Sequence, residues 1–468
     1  MRLTAAELAG RAGGVVVEGD GDAVCTSYGF DSRALGPHAC FVAVRGHRDG
    51  HDFVDDAFHA GAVVALVSEH RPRAHPLASG RAVVQVDDTI GALARIARSV
   101  RLDHGDLQVV GVAGSTGKTS TKDLLAAALA TSRRTHANPE SFNNELGLPL
   151  TILSMEPVTE VLVTEMGERF PGDLTALCAI ARPTVGVVTN VGLAHAEHLG
   201  GPEGVASAMA ELLAALPPSG LAVLWADDPW TAWLRDRSGA PVVTVGLHPS
   251  ADEVVTGVRV DAHLRPSFEL AGTTIEVPIR GAHQVANAAL AAVVALRLGV
   301  APDVVAVALR AASSARWRLE IDASEHGVTV LNDSYNANPA SMEAALRALA
   351  HLRVDGRRVA VLGDMRELGE HSDEAHDRIG WLARELAVDL VVGVGDGGAR
   401  IARGADGPGV DVLTAGDAEE ALALLRGRVA RGDAVLVKAS RALRLDAVAA
   451  GLLSGEPTGI SPGGSVAR

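Results

Sequence analysis

The 468 residues carry 47% hydrophobic side chains and a formal net charge of −15, enough apolar material for about three domains of ordinary size. That negative balance excludes a broad electrostatic grip on nucleic acid or anionic lipid, so any bound anion must be held by a local site. No apolar run approaches the ~18 residues of a membrane span, and Cys25, Cys40 and Cys178, odd in number and without C-x-x-C spacing, argue against a disulfide framework or zinc site and for a reducing cytosol.

The N-terminal stretch "MRLTAAELAGRAGG" lacks the long apolar core of an export signal and reads as a short amphipathic helix. The β-like runs Val15-Val16-Val17, "CFVAV", "AVVALV" and "AVVQV" follow, separated by polar turns, and imply a small α/β domain over 1–103. After the connector "RLDHGDLQ" comes "VVGVAGSTGKTSTKDLLAAALA", where a β-branched run gives way to Gly114 and Gly117, then to Lys118-Thr119 and an Ala/Leu-rich helix. This is the strand, loop and helix of a phosphate-binding loop. Glycines let backbone N–H groups close on an anion, Lys118 supplies a point charge, and the Thr119 hydroxyl can reach magnesium. The strict G-x-x-x-x-G-K-[ST] spacing is not met, because Val112 stands at the first glycine position and Gly114 lies three residues before Gly117. Lys118, Lys122 and Lys438 are the only lysines, so two of the three fall in this motif.

Beyond the loop, "EVLVTEM", "TVGVVTNV", "GLAVLWA" and "PVVTVG" alternate with helical segments such as 203–216. Such βαβ alternation implies a parallel sheet over 104–313 with ligands at the carboxyl ends of its strands. Glu165 and His195 fall at such ends and are candidate magnesium ligands. Asn138, Asn143 and Asn144 cluster in the loop after the P-loop helix, where a turn role competes with substrate contact. A second α/β series, "VTVLND", "RVAVLGD", "DLVVGVG" and "DAVLVKAS", occupies 314–454 without a P-loop of its own. There Asp333 ends a strand, and Asn336, Asn338 and Pro339 precede a helix, a pattern that also fits an N-cap. The Gly/Pro/Ser-rich tail at 455–468 is expected to be disordered.

Taken together, "DSRALGPHACFVAVRGHRDGHDFVDDAFHAGA", "GSTGKTSTK", "SFNNELGLPLTIL", "TEMGE", "TNVGLAHAEHLG", "NDSYNANPASMEAALRAL" and "AVLGDMRELGEHSDEAH" resemble the Mur ligase family of peptidoglycan synthesis. The last two resemble the branch that joins D-alanyl-D-alanine to a UDP-N-acetylmuramoyl tripeptide. The resemblance implies a central P-loop parallel-sheet ATPase domain between a UDP-substrate domain and a Rossmann-like C-terminal domain. The implied enzyme uses ATP and Mg2+ to phosphorylate a carboxylate that an amine then attacks. It implies Gly114, Ser115, Thr116, Gly117, Lys118, Thr119 and Ser120 around the phosphates, with Lys118, Glu165 and His195 catalytic. Thr119, Glu165 and His195 would attend the metal, Asn287 and Asn338 the adenine, Asp333 the ribose or phosphates, and Arg316 the phosphates from the third domain. Asp31, Ser32 and Arg33 would hold the UDP-sugar peptide, with Asn143 and Asn144 as further substrate contacts, and Lys438, Ser440 and Arg441 would lie near the amine. A cytosolic monomer acting on small molecules, with no nucleic-acid partner, is expected.

Three residues depart from that pattern. Met209 stands where the resemblance implies a carbamylated lysine for a second magnesium, and a thioether is a weak ligand for a hard cation. By itself Met209 reads as a core-facing helical residue. Gln284 and Ala439 replace an expected Asn and Gly. These departures keep two alternatives in view: amide formation on a different carboxylate in specialised metabolism, and a nucleotide-binding homologue with impaired turnover.

Overall fold

A computed structural model describes residues 1–73, 76–139, 141–313 and 317–454. Three α/β domains follow one another along the chain. The first is built on a five-stranded sheet ordered Val15–Gly19, Ala82–Gln85, Ala62–Val67, Ala39–Val42, Ser27–Gly29. Its opening helix, Ala5–Ala12, starts at a capping box in which Thr4 and Glu7 exchange hydrogen bonds of 3.1 and 2.8 Å, and it stops at Gly13, whose φ of 70° suits a residue without Cβ.

The middle domain contains a seven-stranded sheet ordered Glu253–Val254, Val242–Gly246, Leu221–Trp225, Val185–Val188, Gln108–Ala113, Val161–Glu165, Thr135–Ala137. All of its pairings are parallel. Covered on both faces, its inner strands are continuous apolar runs. Val110 and Val112 pack with the helices Lys118–Leu129 and Gln284–Arg297, whereas Val109 and Ala113 pack with helix Pro202–Ala214 on the other side. This alternation puts every loop that follows a strand on one rim. An antiparallel sheet of Thr256–Val260, Pro266–Leu270 and Thr273–Glu276 seals one end of the core through Phe268 and Leu270. Sequence reading did not find it, because polar residues break its short strands.

The C-terminal domain has six strands, ordered Glu320–Ala323, Thr329–Asn332, Ala434–Lys438, Arg358–Gly363, Leu390–Val394, Asp411–Ala415. The edge strand Glu320–Ala323 runs antiparallel, which makes the sheet mixed rather than uniformly parallel. Among the described residues no helix is long and apolar enough to cross a membrane, and all three cysteines are free and buried. The tail expectation for 455–468 lies outside the described residues.

Candidate active site

The strand Gln108–Ala113 runs into a tight loop and then helix Lys118–Leu129. Gly114 and Gly117 have φ of 137° and 81°, and each also meets a close neighbour. A Cβ on Gly114 would lie 2.0 Å from Thr189 Oγ1, and one on Gly117 would lie 2.1 Å from Asn287 Oδ1. The end of strand Val185–Val188 and the start of helix Gln284–Arg297 therefore crowd the loop, and Gly117 makes room for a side chain expected beside the nucleotide. Asn190, next to Thr189 at that strand end, fixes the loop further by accepting the Thr116 N–H at 3.1 Å and donating to the Thr116 carbonyl at 3.1 Å. The Ser115 hydroxyl accepts the Gly192 N–H at 2.8 Å.

Glu165 is buried at the end of its strand, where its carboxylate accepts from two side chains and its N–H donates to a third. Asn143 Nδ2 donates to Oε1 at 2.7 Å, the Thr119 hydroxyl donates to Oε2 at 2.7 Å, and the Glu165 N–H bonds Asn138 Oδ1 at 2.8 Å. Asn143 thus joins the phosphate-loop site. Its neighbour Asn144 takes the turn role instead, accepting the Gly147 N–H at 2.9 Å where helix Gly147–Ser154 begins. Lys118 Nζ donates to the Gly114 carbonyl and lies 3.4 Å from Glu168. Glu168 is fully enclosed, and burial raises its carboxyl to about 7 despite the lysine.

The third domain reaches over this rim. Arg318 Nη2 donates to Thr119 Oγ1 at 2.8 Å, and its guanidinium stacks on Tyr335 at 4.6 Å. Arg316 lies outside the described residues; Arg318 supplies an arginine contact from this side that sequence reading passed over. Asn338 does two things. It N-caps helix Pro339–His351 through Ser341 and donates from Nδ2 to the Ser115 carbonyl at 3.3 Å. Asp333 accepts from Lys438 at 2.6 Å and from the Leu319 N–H at 3.0 Å. Between the two domains lies a cavity of about 580 Å³ whose walls include Gly117, Asn287, Arg318, Asp333, Asn338 and Lys438. That volume suits a nucleotide-sized ligand.

Other candidates are placed differently. Lys438, expected near the amine, faces this cavity with Asp333. Ser440 Oγ accepts the Arg366 N–H at 3.0 Å, and Arg441 pairs with Asp446 at 2.7 Å. His195 has φ of 58°, and its Nδ1 bonds Glu367 of the third domain, which also binds Arg169 at 2.8 Å. Burial lowers the His195 pKa and the Glu367 contact partly restores it. In the first domain Asp31 and Arg33 pair with each other at 2.8 Å around Ser32, holding the Asp31 carboxyl down to about 2, and none of the three lines the cavity. Met209 is fully buried in the apolar cluster with Met166 and Leu212, so it is a core residue and offers no oxygen. Ala439 packs against Gly363 without a left-handed backbone.

A glycine loop with an adjoining lysine, hydroxyl and buried carboxylate, faced by a second α/β domain, defines a P-loop nucleotide-binding protein whose site is shared between domains. Family models match over most of the chain: the Mur ligase family catalytic domain over 25–101, the Mur ligase middle domain over 112–295, and the Mur ligase glutamate ligase domain over 317–441. The chain belongs to the Mur ligase family. It is 41% identical to the UDP-N-acetylmuramoyl-tripeptide--D-alanyl-D-alanine ligase of Mycobacterium tuberculosis (strain ATCC 25618 / H37Rv), covering 98% of this chain and 99% of that one. Among solved structures it is similar to MurF from Acinetobacter baumannii, with TM-score 0.85, 27% identity, and 97% and 99% of the two chains covered. It is also similar to MurF ligase from Thermotoga maritima in complex with ADP, with TM-score 0.78, 30% identity, and 91% and 96% covered.

Proposed function

We propose that the protein joins D-alanyl-D-alanine to a UDP-N-acetylmuramoyl tripeptide, converting ATP to ADP and phosphate through an acyl phosphate. The observation that carries this reading is end-to-end similarity to a ligase of that name, at 41% identity. The interdomain cavity, with Ser115, Thr116, Gly117 and Ser120 of the phosphate loop in its wall, supports it independently. A carboxylate resists attack because its oxygen leaves poorly, and transfer of a phosphoryl group to it supplies a good leaving group. The site must then gather several anions, which explains a lysine, an arginine and main-chain donors in one place.

Within this reading Lys118 neutralises the transferring phosphate, while Asn287, Asn338 and Asp333 line the nucleoside end. Thr119 and Glu165 offer the hard oxygen donors that suit magnesium, with His195 at the neighbouring strand end. Bound magnesium would lower the charge repulsion between phosphates and carboxylate. Asp31, Ser32 and Arg33 hold the UDP-sugar peptide, and Ser440 and Arg441 border the amine's approach. The contacts of Arg318 and Asn338 to the P-loop support closure of the third domain over it, and closure excludes water that would hydrolyse the acyl phosphate. Functional division into 1–103, 104–313 and 314–454, a cytosolic location and a monomeric state belong to the same proposal.

Purified full-length protein with Mg-ATP should release ADP over repeated turnovers only when the tripeptide precursor and D-alanyl-D-alanine are both present, the tripeptide alone giving at most one ADP per enzyme. Met209 favours one second reading, amide formation on another carboxylate. It would be selected if this pair gave no ADP while a different acid did.

A further inference from the structure

The ion pair between Lys118 and Glu168 is one that nucleotide binding must dissolve. Among the described residues, beyond its own backbone N–H, the Glu168 carboxylate meets only Lys118 Nζ, at 3.4 and 3.5 Å from its two oxygens. Those are long contacts for a side chain with no exposure. Glu165, at the end of the same short segment, adds a negative charge that opposes ionisation of Glu168. Lys118 occupies the position from which a P-loop lysine reaches phosphate oxygens. When it turns to them, Glu168 is left enclosed without a cation while phosphates bring more negative charge to the same rim. A buried carboxylate in that situation needs a new positive partner.

We propose that Glu168 is a metal-directed carboxylate, and that the divalent cation arriving with the nucleotide replaces Lys118 beside it. This rests on the nucleotide reading of the cavity. Glu165 and Thr119 supply neighbouring oxygens, and an all-oxygen set suits Mg2+ or Mn2+. Among the described residues no three His, Cys, Asp or Glu side chains converge on one point, so phosphate oxygens and water complete the shell. Met209 contributes nothing from helix Pro202–Ala214, which leaves the segment Glu165–Glu168 to provide the negative charge.

The competing outcome is that Glu168 takes up a proton when Lys118 leaves. Glu168→Gln separates the two, because the amide mimics the protonated acid and cannot replace the charge. Binding of Mn2+ to the full-length protein with a non-hydrolysable ATP analogue is followed by electron paramagnetic resonance, with a thermal melt as the control for folding. The expected result is Mn2+ affinity at least ~10-fold weaker in the variant, with metal-free binding of the analogue retained. An unchanged Mn2+ titration overturns the proposal in favour of the proton. If the glutamine variant does not fold, Glu168→Asp keeps the charge on a shorter arm and should weaken Mn2+ severalfold; no change there also overturns it. The readout does not involve the acceptor or the amine, so failure of the ligase substrates leaves it standing. A wild-type protein that binds no Mn2+ and no analogue would instead overturn the nucleotide reading and this proposal with it.

Discussion

All three of the chain's lysines pair with carboxylates, and the pairs of Lys118, at the phosphate loop, and Lys438, at the end of strand Ala434–Lys438, differ in kind. Lys438 Nζ is held at 2.6 Å by Asp333, at 2.9 Å by the Asn336 carbonyl and at 3.4 Å by the Asp333 carbonyl, so its donors are used up. Lys118 touches one carbonyl and stands 3.4 Å from a carboxylate that burial has already brought near neutrality. The first arrangement fixes a strand end. The second leaves a cation free to move at small cost. Similar residues thus serve opposite purposes in the two α/β domains, and the difference lies in how many acceptors saturate the lysine.

Removing each lysine should break the comparison most sharply. Lys118→Ala is expected to reduce ADP formation on the order of 10³-fold, because no other lysine stands in the phosphate loop. Its fold should survive, since Glu168 answers the loss by keeping its proton. A melt near wild type with retained ADP release would contradict the assignment of Lys118. Lys438→Ala leaves Asp333 enclosed without its partner and is expected to destabilise the protein by about 3 kcal/mol, read as a lower urea midpoint. If Lys438→Ala were neutral and Lys118→Ala unfolded the chain, the two roles would have to be exchanged.

The pH dependence of stability sharpens the contrast. The Glu168 carboxyl in the folded protein sits at about 7, above the 4.5 of an ordinary glutamate, so the native state holds this proton more tightly than the unfolded chain. Its stabilising effect is present below pH 4.5, declines as pH rises through 7 and is gone above it. Glu168→Gln lacks that loss. Without metal or nucleotide the variant should match wild type near pH 4.5 and exceed it by up to ~3 kcal/mol above pH 7. A difference that stays flat across this range would mean that Glu168 is not strained.

How much of this could be read from the residues alone depends on whether the signal was local. The P-loop was legible because a β-branched run, two glycines and Lys118-Thr119 are consecutive and each has a backbone reason to be there. Glu165, Asn338 and Asp333 were legible as strand-end or helix-start residues, since the apolar runs beside them mark those ends. Glu168 was not, because its interest lies in complete burial against a lysine 50 positions away. The pairing of Lys438 with Asp333 was not legible for a similar reason. Its strand, Ala434–Lys438, lies beside Thr329–Asn332 in the sheet order, and that adjacency brings it to Asp333. Arg318 shared the run "ARWRLE" with Arg316, and nothing in that run marks Arg318 as an arginine that reaches Thr119. The edge strands Glu320–Ala323 and Asp411–Ala415 escaped because Glu320 and Asp322 in one, and Asp411 and Thr414 in the other, break up their short apolar runs.

The smallest effect is expected where the two domains meet outside the nucleotide cavity. Glu367 holds a left-handed backbone with φ of 62° and accepts from Arg169 and His195 of the middle domain, while its carbonyl accepts the Glu197 N–H at 3.1 Å. These contacts form a hinge-side latch rather than a buried rivet, since the Glu367 side chain remains 27% exposed. Solvent screens such a pair, so Glu367→Gln should weaken closure by only ~1 kcal/mol. The amide still bonds one partner but cannot accept from both Arg169 and His195. Small-angle scattering with the nucleotide analogue should therefore report a severalfold smaller closed fraction, with the melt little changed. A loss of closure as complete as that caused by Arg318→Ala would place the latch, and not the Arg318 contact to Thr119, in control of the third domain.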